Sequence, residues 1–401
     1  MENDTRARAD APEASQVRGS NQSGMRAHNE RLVLTLIRQR GPMAKAEIAR
    51  VSGLSAQTVS VIMRALEAEG LLVKGKPVRG RVGQPSVPMA LAPDGAYFLG
   101  LKVGRRSAEL VLTDFLGHVM HRRQRMHTYP EPVETVRFAH QAIDVLLNQL
   151  PQDWRARVAG LGIAMPFQLW DWARALEVPE ADMAAWRDAD IRAEIARRYE
   201  FPVFLQNDAS AACGAELVFG TSKTPPEFLY FYIGYFIGGG VVLNGGLYAG
   251  RSGNAGALGS LPVPGPDGST RQLIDVASLS GLERRLQAAG CATAGMWQDT
   301  SAWDIDEVCL DNWVAEAAAG LAQAVAAACS VIDFECVLID GWCPPNVRAQ
   351  VVSAVTEALA QLNLAGLHAP VIREGTIGPD ARALGAASLP LSERFLVEPN
   401  T

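Results

Sequence analysis

Apolar residues recur at helical spacing in the first ninety positions and predict three short helices. The first stops at Gly41-Pro42, the second closes at Gly53, and Ser55 is a good N-cap for the third. Their buried positions are Leu32, Val33, Leu36 and Ile37, then Ile48 and Val51, then Val59, Ile62, Met63 and Leu66. Two short strands, 71–73 and 88–91, flank a loop rich in Gly, Lys, Arg and Pro. This order predicts a winged helix-turn-helix domain over residues 25–92.

From Pro93 onward the pattern is typical of an α/β domain. Helices are predicted over 133–150 and 313–332. Strands are predicted over 98–103, 108–113, 118–125, 158–164, 201–206, 228–233, 239–243 and 336–340. The two halves resemble each other in outline, so we expect two lobes within residues 93–401. Lobe 1 takes about 93–208 plus 376–401, and lobe 2 takes about 209–375.

Composition and charge narrow the class of protein. Residues 1–24 hold almost no aliphatic side chains, which predicts a disordered tail. Residues 1–90 carry 14 Lys and Arg against 8 Asp and Glu, while the remainder carries 23 against 35. A basic N-terminal domain on an otherwise acidic chain is typical of a protein whose small domain faces DNA. A merely solvated basic face is the alternative.

The third helix and the loop between the strands supply the candidate DNA contacts. Gln and Arg pair with base edges in the major groove, Ser and Thr suit phosphates or bases, and Val61 suits a thymine methyl group. Arginines on a glycine loop suit the minor groove. The predicted DNA-binding residues are Gln57, Thr58, Ser60, Arg64, Lys74, Lys76, Arg79, Arg81 and Gln84. The alternative is a helical hairpin for protein contacts, beside a solvated loop.

Targeting and metal signals are sparse. No apolar run reaches the roughly 18 residues that span a bilayer, and the N-terminus has no signal-peptide pattern, so we expect no membrane partner and a cytoplasmic protein. The six cysteines form no C-x-x-C pair. They are interpreted as reduced, mostly buried thiols, with no metal site and no cofactor.

Five ordered stretches resemble the ROK family, which comprises bacterial sugar kinases and repressors built on the actin-like ATPase fold. They are GSNQSGMRAHNERLVL, GRVGQPS, LQNDASAACGAE, IGYFIGGGVVLNGGLYAGRSGNAGALGSLPV and GPDARALGAASLPL, and together they reach from Gly19 to Leu391. The resemblance implies a winged helix-turn-helix followed by a two-lobed, ribonuclease H-like domain, with a ligand bound between the lobes.

The chain departs from the kinase pattern at both phosphate turns. Lys102 stands where family kinases have the Asp that organises Mg²⁺, and a cation cannot hold a metal ion. In the second turn, Tyr235 replaces a Thr, and its ring would obstruct the nucleotide. Gly238–Gly240 remain, either as part of a ligand site or because the strands approach closely.

The ligand residues implied by the resemblance are partly retained. Candidates for contact with a carbohydrate are Asn207, Asp208, Gly238, Gly239 and Asn254. Asn207-Asp208 after a strand has a second interpretation, a helix N-cap. Ala257 and Ser260 stand where sugar-binding members carry Glu and a zinc-ligating His, and the following loop has no Cys, so we expect no structural zinc. Trp170, Trp172 and Trp186 serve either the core or a sugar face.

The sequence therefore predicts a transcriptional regulator, most simply a repressor of carbohydrate-utilisation genes, with no catalytic residues. Its partners are a double-stranded DNA operator and a carbohydrate effector, and it is expected to form a homodimer or homotetramer. Two alternatives stay open. One is an active sugar kinase with a DNA-binding head, and the other is a DNA-binding scaffold that needs no ligand.

Overall fold

The computed structural model describes residues 22–77, 87–173, 178–221, 224–265 and 268–397. The N-terminal unit, here called the head, has helices α1 (Gln22–Arg40), α2 (Lys45–Ser52) and α3 (Ala56–Ala68) and the antiparallel strands β1 (Leu72–Lys74) and β2 (Met89–Leu91). Gly53 adopts φ +70°, a left-handed conformation that glycine reaches without strain, and so allows the turn between α2 and α3.

The helices of the head follow from local signals. The Ser55 hydroxyl accepts a hydrogen bond from the Thr58 backbone N–H at 3.1 Å, which caps α3. The predicted inner positions of α3 are all buried. α1 begins at Gln22, so residues 22–24, predicted as tail, are helical, because each residue added to an existing helix gains a backbone hydrogen bond. The rest of the predicted tail, residues 1–21, lies outside the described residues.

Lobe 1 is built on a five-stranded sheet of order β5-β4-β3-β6-β7. Its strands are β3 (Tyr97–Val103), β4 (Ser107–Thr113), β5 (Val119–Met126), β6 (Val158–Met165) and β7 (Val203–Asn207). The first three are antiparallel, while β3, β6 and β7 run parallel. The described helices that follow these strands are α4 (Pro132–Gln149), α5 (Gln152–Arg155), α6 (Glu180–Ala184) and α7 (Ile191–Ala196).

Lobe 2 repeats this topology, with a sheet of order β10-β9-β8-β13-β14. Its elements are α8 (Asp208–Phe219), β8 (Phe228–Ile233), β9 (Ile237–Leu243), β10 (Gly246–Leu247), the separate pair β11 (Pro262–Pro264) and β12 (Thr270–Gln272), α9 (Leu273–Ala277), α10 (Leu279–Ala288), α11 (Gly295–Gln298), α12 (Glu307–Cys329), β13 (Cys336–Gly341), α13 (Pro345–Ala360) and β14 (Val371–Glu374). The α/β fold class and the two-lobed arrangement expected from the sequence are confirmed.

The last helix, α14 (Ala381–Phe395), returns from lobe 2 to lobe 1 and lies between the lobe 1 sheet and α8. A Cβ atom at Gly162 on β6 would lie 1.8 Å from the Ala386 carbonyl oxygen, and one at Gly385 would lie 1.9 Å from the Ala211 carbonyl oxygen. Both contacts need glycine, because any side chain would push the helix away.

The head and lobe 1 share one hydrophobic core. Side chains of α1 and α3 pack in the same cluster as Phe98 and Phe115 of lobe 1 and Phe395 at the end of α14. Arg38 of α1 is half-buried there and donates to the Phe115 carbonyl oxygen at 2.5 Å, and its partial burial lowers the pKa of its guanidinium group to about 10. The head is therefore docked on lobe 1 and does not hang from a flexible linker.

Two sequence expectations concern the whole chain. All six cysteines are free, four of them buried and two, Cys291 and Cys309, half-buried. Within the described ranges, no helix combines the length and the apolar character needed to cross a bilayer.

Candidate functional site

The outer face of α3 presents part of the predicted DNA contacts to solvent. Gln57 and Arg64 are exposed, and Val61 between them is 47% exposed. Arg64 folds back so that its Nε donates to the Ser60 carbonyl oxygen at 3.1 Å. Thr58 is half-buried, and its hydroxyl lies 2.8 Å from that of Ser55, so Thr58 also takes part in capping the helix.

The hairpin after α3 continues this surface. Lys74 is exposed and pairs with Glu67 of α3 at 2.7 Å, which ties the strand to the helix. Lys76 is exposed as well. The predicted loop residues Arg79, Arg81 and Gln84 lie outside the described residues.

Lys102 occupies a buried corner at the carboxyl end of β3, where the edges of the lobes meet. Only 7% of the residue is exposed, and its ammonium group donates to the Ser107 hydroxyl at 2.9 Å. Burial lowers the pKa of Lys102 to about 7, and the charge of Arg382 acts in the same direction. The carboxylates of Glu109 and Asp208 oppose this shift without cancelling it.

Both of those carboxylates are paired with arginines. The Asp208 carboxylate accepts from Arg382 of α14 at 3.2 Å, and both side chains are about 15% exposed. The Glu109 carboxylate lies 2.9 Å from Arg122.

Asn207 Oδ1 accepts from the backbone N–H groups of Ala209 and Ser210, at 3.0 and 3.3 Å. Asn207 is thus the N-cap of α8, the second of the two interpretations that its sequence context allowed.

The glycine turn packs against the same helix terminus. A Cβ atom at Gly238 would lie 2.7 Å from the Ala209 Cβ, so Gly238 lets β9 approach the start of α8. A Cβ at Gly239 would lie 2.2 Å from the Tyr230 carbonyl oxygen and 2.4 Å from Leu258, so this glycine is required for packing inside lobe 2. The structure therefore brings Asn207, Asp208 and Gly238 together, while Gly239 is buried behind them.

Arg106 joins the lobes, a contact that the sequence did not point to. From the turn between β3 and β4, it donates to the Glu283 carboxylate of α10 at 2.6 Å. Glu283 is 6% exposed and also accepts from the indole N–H of Trp297 at 2.8 Å. The Arg106 guanidinium carbon lies 4.9 Å from the Trp297 ring centroid. An arginine of lobe 1 thus inserts into a polar recess of lobe 2.

Tyr235 lies beside this bridge. Its ring centroid is 5.2 Å from the guanidinium carbon of Arg105 and 5.6 Å from the centroid of Trp297. These distances are within the range of cation–π and aromatic contacts. The two turns that resemble the phosphate turns of kinases are therefore joined to each other by protein side chains.

The loop after β10 carries the remaining candidates. Asn254 is exposed, and together with Ser252 it lines a cavity whose other walls come from lobe 1. Ala257 and Ser260 are exposed too, so their short side chains contribute little to a ligand site. Trp170 is half-buried at the cavity wall, whereas Trp186 is buried and its indole N–H donates to the Pro130 carbonyl oxygen at 2.9 Å. Of Trp172, the structure describes only the backbone.

The residues of the corner do not fit a magnesium–nucleotide complex. Mg²⁺ requires oxygen ligands, but here the amino group of Lys102 stands where family kinases have a metal-binding carboxylate. The carboxylates of Asp208 and Glu109 are paired with arginines. Within the described ranges, no three His, Cys, Asp or Glu side chains are grouped to hold a metal ion.

Comparison with known proteins decides the family. The model of the ROK family matches residues 98–393, almost three quarters of the chain. The chain belongs to the ROK family. A winged helix-turn-helix DNA-binding model matches residues 26–73, which are α1, α2, α3 and the start of the hairpin. Both parts of the predicted architecture are thereby confirmed.

Relatives of this ROK protein include regulators and kinases. The xylose repressor of Bacillus subtilis is 28% identical over 244 residues, which cover 61% of this chain and 62% of the repressor. A crystal structure of a ROK family transcriptional regulator, described as a homologue of the E. coli MLC protein, has a TM-score of 0.65 at 21% identity and covers 92% of this chain and 97% of its own. A ROK glucokinase from Streptomyces griseus has a TM-score of 0.55 at 22% identity over 73% and 99% of the two chains.

Proposed function

We propose that this ROK protein is a DNA-binding transcriptional repressor of carbohydrate-utilisation genes that senses a carbohydrate and transfers no phosphate. The observation that carries the proposal is the arrangement of charged side chains around Lys102. Lys102 is buried where a kinase needs a metal-binding carboxylate. Asp208, which the family resemblance of Asn207-Asp208-Ala209 matches to the carboxylate that takes the sugar proton in kinases, is bound by Arg382. The Arg382 guanidinium group occupies one oxygen of this carboxylate, which a sugar hydroxyl would otherwise contact.

The head supports the DNA-binding part of the proposal. Gln57, Val61 and Arg64 lie on one exposed face of α3, which is the face a recognition helix presents to the major groove. We assign Thr58, Ser60, Lys74, Lys76, Arg79, Arg81 and Gln84 to flanking contacts with phosphates, sugars or the minor groove. The named repressor and regulator among the relatives agree with this assignment.

The lobes support the sensing part. Asn254 of lobe 2 lines a cavity whose other walls come mostly from lobe 1, and a ligand that touches both lobes changes the angle between them. A ligand that prefers the geometry unsuited to DNA must weaken DNA binding, because the two equilibria are linked. We expect a homodimer or homotetramer, since two-fold symmetry matches a palindromic operator.

Selection from a random-sequence DNA library by the full chain tests the proposal. We expect enrichment of one sequence with two related half-sites, and no ATP consumption in a coupled assay with a panel of hexoses. The Arg64→Ala variant should bind the selected sequence about 1–3 kcal/mol more weakly, because a base-reading arginine is worth that much. Arg284→Ala, which removes an exposed arginine of lobe 2, is the matched control. No enriched sequence, or hexose-dependent turnover of ATP at ordinary kinase rates, would refute the proposal.

A further inference from the structure

A cavity of about 570 Å³ opens between the loop after β6, the start of α7, strand β7 and the loop after β10. Its volume lies within the roughly 300–1,000 Å³ range of pockets that hold drug-sized ligands, which are larger than a single hexose. Lobe 1 forms most of the wall, and Ser252 and Asn254 belong to lobe 2. The cavity therefore spans the cleft without including the corner around Lys102.

The lobe 1 wall is apolar and rich in aromatic side chains. Phe167, Trp170 and Leu205 line it in front of the buried Trp186 and Ile191. Leu205 lies on the edge strand β7 and is 38% exposed, although most other leucines of lobe 1 are buried. An apolar group that covers both the exposed leucine and the half-buried tryptophan lowers the free energy, because it removes apolar surface from water.

The polar side chains of the lining are all exposed. Gln168, Ser252 and Asn254 offer amide and hydroxyl groups, which suit neutral hydroxyls. Asp190 and Arg192 bring one negative and one positive charge, so the lining has no net charge that selects an ion. A Cβ atom at Gly253 would lie 3.5 Å from the Phe167 ring, which shows how closely the lobe 2 loop approaches the aromatic wall.

We infer that this cavity binds a neutral aryl glycoside. Its aromatic group would lie against Trp170 and Leu205, and its sugar hydroxyls would face Ser252 and Asn254. This inference rests on the proposed function for the view that the ligand is a carbohydrate, and it adds the apolar aglycone. A free monosaccharide would leave the aromatic wall uncovered, whereas the aryl group of a glycoside would cover it.

Calorimetric titration of the full chain tests the inference. The probes are the 4-nitrophenyl and methyl β-D-glucopyranosides and the corresponding β-D-xylopyranosides. We expect at least one 4-nitrophenyl glycoside to bind about tenfold or more tightly than its methyl partner, since a ring-sized apolar contact exceeds the 1.4 kcal/mol that corresponds to tenfold. Equal binding of the two members of each pair, or no binding of any probe, would overturn the inference.

Two variants locate the site. Leu205→Lys should reduce affinity for the aryl glycoside by tenfold or more and leave the melting temperature of the free protein unchanged, because the side chain is already exposed. The control is Val371→Lys, which changes a 53% exposed aliphatic residue on β14, the strand that holds the same edge position in lobe 2. Trp170→Ala should weaken binding as well, with Trp154→Ala, a half-buried tryptophan of the same lobe outside the cavity, as its control. Unchanged aryl affinity in the Leu205 and Trp170 variants would overturn the assignment.

The test separates this inference from the proposed function. DNA binding by the unliganded chain is measured on its own, with the sequence selected from the library. A chain that binds this DNA but none of the aryl glycosides contradicts only the inference about the cavity. A chain that binds aryl glycosides but selects no DNA sequence contradicts the proposed function and retains the site.

Discussion

The burial of the Lys102 amino group leads to a quantitative prediction about how the free energy of unfolding depends on pH. Its pKa falls from 10.5 to about 7 in the folded protein, mainly through burial. The unfolded chain therefore binds more protons than the folded chain between pH 7 and pH 10.5, and stability must rise with pH across this window. Each pKa unit corresponds to about 1.4 kcal/mol, so the cost of this lysine is about 4 kcal/mol at pH 7 and about 2 kcal/mol at pH 9.

Replacing Lys102 with Met removes this cost and keeps a similar volume. The change also removes the hydrogen bond to Ser107, a loss of about 1 kcal/mol that does not depend on pH. We expect the Lys102→Met variant to be about 3 kcal/mol more stable than the wild type at pH 7. That advantage should shrink by about 2 kcal/mol by pH 9.

Urea unfolding of both proteins between pH 6 and pH 9 measures this difference. Thiols and phenols also titrate in this range, but they are common to both proteins and cancel in the comparison. Lys45→Met, which changes an exposed lysine of the head, is the matched control and should show no such trend. A difference between Lys102→Met and wild type that stays constant from pH 7 to pH 9 would refute the view that Lys102 is a desolvated cation.

Two further predictions concern the contacts that join the parts of the molecule. Gly385→Ala should destabilise the protein by several kcal/mol, because its new methyl group would meet the Ala211 carbonyl oxygen. The control, Gly295→Ala, places its methyl group where no atom lies within 4 Å and should be neutral. Thermal unfolding distinguishes the two variants, and equal melting temperatures would contradict the packing argument. Glu283→Gln should lower the free energy of unfolding by about 1–3 kcal/mol, since it leaves the Arg106 guanidinium without its charged partner; chemical denaturation measures this, and Glu357→Gln, on an exposed face of α13, controls for the lost charge. Wild-type stability of Glu283→Gln would show that the bridge between the lobes has no energetic role.

The head could be predicted closely because its signals are local. The helix cap at Ser55, the left-handed glycine at position 53 and the apolar stripes each act within a few residues, and the structure shows the same features. The helix start at Gln22 was missed, because nothing in the sequence around it marks an N-terminus.

The strands of the two lobes could also be predicted, but not what meets between them. Arg106 and Glu283 are 177 positions apart, and Asp208 and Arg382 are 174 apart. A single charged residue in a sequence does not reveal its partner at such separations. The signal available for Arg382 was an arginine in a helix whose other residues up to Ser392 are small or apolar. Leu205 gave no signal either, since a leucine in a strand is ordinarily a core residue.

The position of Asn207 shows why a motif alone cannot assign a role. Its amide oxygen is used by two backbone N–H groups, which satisfies the first turn of α8. Its side-chain nitrogen takes no part in this cap. The cap fixes where α8 begins and therefore where the next residue, Asp208, points. Asn207 thus has a positioning role for Asp208 that needs no ligand contact.

Helix α14 offers a physical route from the cleft to the head. Its first turn carries Arg382, which binds Asp208 at the start of α8, and its last residue, Phe395, packs in the core shared with α1. Just beyond its end, the Val397 N–H donates to the Thr35 hydroxyl of α1 at 3.1 Å. Because of the close contact between Gly385 of α14 and the Ala211 carbonyl oxygen of α8, α8 cannot slide past α14 without moving α14. A ligand that displaces the start of α8 would therefore displace α14, and with it the part of the head that packs against the end of α14.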